Sequence, residues 1–183
     1  MNQSPYMTDA PTVCVILLKV LLARLPAIFA YTWIYGGGIL VTLSIATASA
    51  LAFEAALLKT RQRPVKAHLM DLSAVVTAWL LALALPPLAP WWLIVVGTFF
   101  AIVIAKQLYG GLGYNPFNPA MVAYAALLIS FPLIMTKWPA PLILAEAKLG
   151  FVDQLQFIFS NVLPANVKVD AITSATPLDY LKT

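Results

Sequence analysis

The chain alternates long apolar runs with short polar, glycine-rich or proline-rich breaks. Stretches near 13–34, 38–58, 72–89, 91–109 and 119–136 are each close to the roughly 20 residues that a helix needs to cross about 30 Å of hydrocarbon. The pattern predicts an all-α membrane protein, with about five transmembrane helices over 1–136 and a tail of different character over 137–183. The breaks have physical causes. Gly36-Gly37-Gly38 ends the first run, and Lys59, Arg61, Arg63 and Lys66 part the second from the third. Pro86, Pro87 and Pro90 precede Trp91 and Trp92, rings suited to the headgroup level, and Gly110 to Pro119 precedes the fifth run. Lys19 and Arg24 lie inside the first run, which predicts a tilted or interfacial start with snorkelling side chains. In the tail, Glu146 to Phe159 sets Leu149, Val152, Leu155, Gln156 and Phe159 at helical spacing. Such a helix lies on the membrane surface or packs on the spans. An odd number of crossings would send a homologous second half in from the opposite side, so the expected fold is half of an inverted repeat.

Composition supports the pattern. Hydrophobic residues make up 62% of the chain and charged residues 10%, against about 25% charged in soluble domains, which excludes a soluble globular domain. The net charge of +4 and pI near 9.3 would suggest nucleic acid in a soluble protein. Here the charges read as orienting charges, and no nucleic-acid partner is expected. The short loop holding Lys59, Arg61, Arg63 and Lys66 is assigned to the cytoplasm. Alternation then puts the N-terminus and Gly110–Pro119 inside, with Lys106 among the inner charges, and the proline turn and 137–183 outside. Met1 to Pro11 has no basic n-region, so no cleaved signal peptide is expected. The single cysteine, Cys14, rules out an intrachain disulfide framework and a cysteine-rich metal or iron–sulfur site from this chain alone, and no metal is expected. Its apolar setting reads as that of a small buried hydrophobe.

Two segments can carry chemistry. Lys106 to Ala120 is glycine-rich, but it follows a span and not a strand, and it lacks the Lys-Ser/Thr pair of a phosphate loop, so nucleotide binding is rejected. Non-helical backbone with Asn115 and Asn118 at a membrane boundary either lines an interior site or is a helix break that Asn118 caps, with Pro119 at the first helical position. The tail segment Asp170-Ala171-Ile172-Thr173-Ser174-Ala175-Thr176-Pro177-Leu178-Asp179 reads either as a helix start at Thr176-Pro177 or as a run of accessible hydroxyls open to a modifying enzyme. Among ionisable groups near spans, Glu54 is a candidate for an ion pathway, with snorkelling near Lys59 as the alternative, and Asp71 is a candidate helix cap.

Together these segments resemble the D subunits of Rnf (also called Rsx) electron-transport complexes, a family similar to the B subunits of sodium-pumping NADH:quinone reductases. The resemblance runs from Ser4-Pro5-Tyr6 through Pro86–Trp92, Lys106–Met121 and Leu127–Pro132 to Asp170–Lys182. It implies flavin mononucleotide (FMN) joined through a phosphoester to the last threonine of an Asp-x-x-(Ser/Thr)-x-Ala-Thr pattern by a flavin transferase. The matching positions are Asp170, Thr173, Ser174, Ala175 and Thr176, with Thr176 as the attachment residue and Ser174 where many members have glycine. A second, non-covalent flavin, riboflavin, is implied among the spans, with Asn115 and Asn118 as candidate contacts. A phosphate on Thr176 would suit the free N–H groups of a helix starting at Pro177. The expectation is a non-autonomous flavoprotein subunit of an ion-translocating, ferredoxin- and NAD-linked complex, with the other subunits and membrane lipid as partners. The alternative is a transporter or channel-like subunit with no redox group. Members of that family are about twice as long, which implies the front half of their fold.

Overall fold

The computed structural model describes residues 12–145 and 149–163, and every regular element among them is helical. Among the described residues nine α-helices follow in chain order: α1 Val13–Leu22, α2 Leu25–Tyr35, α3 Gly38–Thr60, α4 Val65–Leu69, α5 Ser73–Ala84, α6 Trp91–Phe99, α7 Pro119–Ser130, α8 Pro132–Met135 and α9 Phe151–Ser160. A π-helical segment, Phe100–Gln107, continues α6. The protein is an all-α membrane protein, as the hydropathy pattern predicts. By length and composition Val13–Tyr35 and Gly38–Thr60 can each cross a bilayer, and the shorter apolar helices Ser73–Ala84, Trp91–Gln107 and Pro119–Ser130 accompany them.

Helix α3 is the axis of the bundle. Its 23 residues extend about 34 Å at 1.5 Å per residue, and it packs on α2, α5, α6 and the π segment. Ala46 and Ala50 are fully buried, and such small side chains let neighbouring helices approach closely. Its hydroxyls are satisfied within the apolar surroundings. Thr42, Ser44, Thr47 and Ser49 each donate to the carbonyl four residues earlier, Ser49 also pairs with Thr98 at 2.8 Å, and the Trp79 indole N–H donates to Thr47 at 3.2 Å. On α6, Gly97 lies so close to Leu127 and Leu81 that an added Cβ would stand 2.8 Å from the Leu127 side chain.

The bundle has two ends, here called basic and proline. At the proline end α5 stops at Ala84, and residues 85–89 form a buried turn. Irregular backbone at this depth needs protein cover, and Phe157 of α9 with Leu163 supplies part of it by packing on Leu88 and Leu149. The Gly36-Gly37-Gly38 break does more than end a helix. Gly36 has φ 95° and ψ −178°, a region essentially open only to glycine. Gln154 of α9 fits against it: its Oε1 accepts from the Gly38 N–H at 2.7 Å, and its Nε2 donates to the Tyr35 carbonyl at 3.4 Å.

Three sequence expectations are corrected. The tail helix turns Gln154 and Ile158 inward, while Val152 and Phe159, placed on the apolar face by periodicity, are 64% and 52% exposed. The reason is polar: the glycine turn offers backbone groups that the Gln154 amide satisfies, and this sets the rotation of α9. Cys14 is exposed, because α1 sits at the periphery and most of its apolar surface faces outward. Arg24 does not snorkel freely. Pro26 breaks the first run after Leu22, four residues upstream, and at the bend the Arg24 guanidinium donates to the Val76 carbonyl at 3.4 Å.

Candidate functional site

At the basic end a group of polar side chains lies inside the apolar bundle. Glu54 is 1% exposed and projects from α3 one to two turns before that helix ends at Thr60. The Lys106 ammonium, 2% exposed, donates to Glu54 Oε1 at 2.5 Å, and Gln107 Nε2 donates to the same oxygen at 2.9 Å. Lys106 also donates to Ser73 Oγ at 2.6 Å, and Arg61 reaches Gln107 Oε1 at 3.5 Å. The second carboxylate oxygen, Glu54 Oε2, is buried and has no hydrogen-bond partner among the described residues.

Local structure explains how consecutive residues meet one carboxylate. In the π segment backbone bonds skip one residue further than in an α-helix, as where the Leu108 N–H bonds the Val103 carbonyl, and π turns recur at functional sites. The widened turn brings both Lys106 and Gln107 onto the face toward α3. Gly110 and Gly111, with φ 112° and 100°, then turn the chain away. Asp71, expected as a helix cap, stands one residue ahead of the N-cap position, which Leu72 fills before α5; its Oδ1 accepts from the Ser73 N–H at 2.7 Å and from the Ser73 hydroxyl at 2.5 Å.

The energetics make the arrangement informative. Desolvating a carboxylate and an ammonium costs several kcal/mol per ion, roughly balanced only when the pair and its remaining hydrogen bonds are well formed. Here one oxygen takes two donors and the other takes none. A buried ionic group left partly unsatisfied is a functional candidate.

Glu54 therefore does not snorkel toward Lys59, which is exposed. Nor does Lys106 serve as a loop charge; it is the interior counter-ion of Glu54. Reading each run singly misses the pairing, along with Ser73 and Gln107. The signal was available in the alternation of spans, since two crossings with one between them run in the same direction, and Glu54 and Lys106 both stand near the C-terminal, basic ends of such a pair.

The glycine–asparagine loop follows directly from this cluster, its Gly111 lying against the Gln107 amide. Asn118 caps α7, its Oδ1 accepting from the Ala120 N–H at 3.0 Å, and Asn115 Nδ2 donates to the Phe117 carbonyl at 2.7 Å. Each amide keeps one end unused among the described residues, an acceptor on Asn115 and a donor on Asn118. Tyr109, Tyr114 and Phe117 beside them are exposed. Asp170, Thr173, Ser174, Ala175 and Thr176 lie outside the described residues.

Comparison with known proteins completes the picture. The family model described as the NQR2, RnfD, RnfE family matches residues 1–183. The chain is similar to the D subunit of the ion-translocating oxidoreductase complex of Shigella dysenteriae serotype 1 (strain Sd197), with 50% identity over 187 aligned residues that cover 98% of this chain and 53% of the relative. It is 51% identical, with the same coverage, to the protein of that description from Yersinia pseudotuberculosis serotype O:1b (strain IP 31758). The chain spans about half the length of the curated relatives it matches.

Proposed function

The chain belongs to the NQR2, RnfD, RnfE family, and from that premise we propose that it acts as a membrane flavoprotein subunit of an ion-translocating oxidoreductase complex. It relays electrons between partner subunits through FMN on Thr176, in a complex linked to ferredoxin and NAD. The observation that carries this reading is the match over 98% of the chain to relatives described as complex subunits. The other subunits, a flavin transferase and membrane lipid are its partners, and the bacterial inner membrane is its location.

The flavins supply the redox chemistry when bound, and the protein holds them. Thr176 offers a hydroxyl for a phosphoester, within the pattern formed by Asp170, Thr173, Ser174 and Ala175. Leu163, from which the chain runs on toward Thr176, packs at the proline end, opposite the basic loop. This supports a periplasmic tail if the basic loop is cytoplasmic. Asn115 and Asn118 would hold riboflavin with the unused acceptor and donor described above. Glu54 stands on the ion pathway, supported by its burial and its unpartnered Oε2.

That same unpartnered oxygen favours a second reading, an ion-conducting subunit with no redox group. Flavin fluorescence in a denaturing gel separates the two. A fluorescent band from cells that contain the transferase, lost in Thr176→Val, is the expected result. A dark band for the unaltered full-length protein would favour ion conduction alone.

A further inference from the structure

The ion pair at the basic end continues outward. Lys106 Nζ donates to Ser73 Oγ at 2.6 Å, and the Ser73 hydroxyl donates in turn to Asp71 Oδ1 at 2.5 Å. Along this path burial decreases, from Glu54 and Lys106 through Ser73 at 4% exposure to a half-buried Asp71 at the bundle end. Leu72, between Asp71 and Ser73, is held at φ 64°, a left-handed conformation that is unfavourable for leucine. Strain of this kind persists only where the surroundings over-determine it, and it clusters at functional positions. Here it turns the Asp71 carboxylate back over the first turn of α5, onto the Ser73 hydroxyl.

We propose that Lys106, Ser73 and Asp71 form a proton relay joining buried Glu54 to water at the basic end. This rests on the reading of Glu54 as part of an ion pathway. The donors already point one way. A Lys106 N–H proton passes to Ser73 Oγ as the Ser73 hydroxyl proton passes to Asp71 Oδ1. Nζ is left a neutral amine, Ser73 is regenerated, and Asp71 becomes a neutral acid that releases its proton to water. The reverse sequence recharges Lys106. With Lys106 neutral, Glu54 loses its counter-ion, and its carboxylate, with Oε2 free, takes up a monovalent cation. One positive charge leaves as one arrives. Arg61, held on Gln107, also faces the cluster; α4, which packs on α3, carries Lys66 and His68, and α6 and α7 have no charged residue in their sequences. Gln107, which cannot titrate, keeps one bond on Glu54 throughout.

The test uses the full-length subunit in its complex, reconstituted in vesicles, with flavin content checked to confirm assembly. Cation uptake during turnover is measured against pH in light and heavy water, with sodium present or absent. Ser73→Ala removes the relay hydroxyl and leaves the Glu54–Lys106 pair, while Ser73→Thr restores a hydroxyl. Uptake should fall about tenfold or more in Ser73→Ala, with a shifted pH profile, and recover in Ser73→Thr. Asp71→Asn should reproduce the loss. Unaltered uptake and pH profile in both Ser73→Ala and Asp71→Asn would overturn the relay. If Glu54→Gln abolishes uptake while those two do not, the relay fails and the ion pathway stands; if Glu54→Gln leaves uptake intact, the pathway reading itself fails.

Discussion

Lys106 and Glu54, 52 residues apart in sequence, meet at 2.5 Å inside the helix bundle. Each is the other's charge partner, so removing either one alone leaves a buried ion. Lys106→Met should destabilise the protein by about 3–5 kcal/mol, the range for breaking a buried pair from one side. The double variant Lys106→Met with Glu54→Leu should recover most of that loss, because a well-packed apolar pair avoids both desolvation costs. Thermal unfolding of the detergent-solubilised full-length protein, followed by size-exclusion recovery, measures this. A double variant no more stable than Lys106→Met would contradict the pairing.

Gly36 and Gly37 should differ in tolerance. At Gly36 an added Cβ meets both a glycine-only backbone conformation and Gln154 Nε2 at 2.3 Å, so Gly36→Ala should cost about 1–3 kcal/mol. At Gly37 the backbone is ordinary, and the obstacle is the ring of Phe151, which is half exposed and can swing away. Gly37→Ala should therefore be milder. Thermal stability of the two variants side by side checks the order, and equal losses would contradict it.

Asn118 has two separable roles. Asn118→Asp keeps the oxygen that caps α7 and removes the amide donor, so stability should hold while retention of non-covalent flavin falls. Asn118→Ala removes both and should also cost about 1 kcal/mol through loss of the cap. Flavin released by denaturation from purified complex, measured with melting temperature, distinguishes these. Full flavin retention in Asn118→Asp would remove Asn118 from the flavin site.

Orientation can be read by thiol labelling in a background lacking Cys14. Ala165→Cys should react with a membrane-impermeant reagent from outside the inner membrane, in cells whose outer layer has been opened. Arg63→Cys should react only after lysis. The opposite pattern would reverse the orientation assigned to the basic loop.

The helix class and its punctuation were legible in the sequence because they depend on local chemistry. Apolar runs, the Gly36–Gly38 turn and the Asn118–Pro119 start each act within a few residues. What escaped was relational. Whether Lys106 orients a loop or neutralises Glu54 depends on which helices lie side by side. The inward face of α9 was misjudged because an amide seeking backbone partners outweighed apolar periodicity. The short α5 was hidden as well, because residues 85–89 are as apolar as a helix interior and differ only in proline content and cover.

The π segment also has a consequence for how this chain tolerates changes in length. A π turn holds one more residue than an α turn, so deleting a single residue between Phe100 and Ala105 would let the helix relax to α geometry. Such a deletion would leave Lys106 and Gln107 close to their present place around the axis, whereas an added residue in α geometry, turning about 100°, would swing the two together off the Glu54 face. No side-chain chemistry need change for the ion pair to be lost. The polar end of the bundle is keyed to the number of residues between Trp91 and Lys106, a count that substitution scanning would never test.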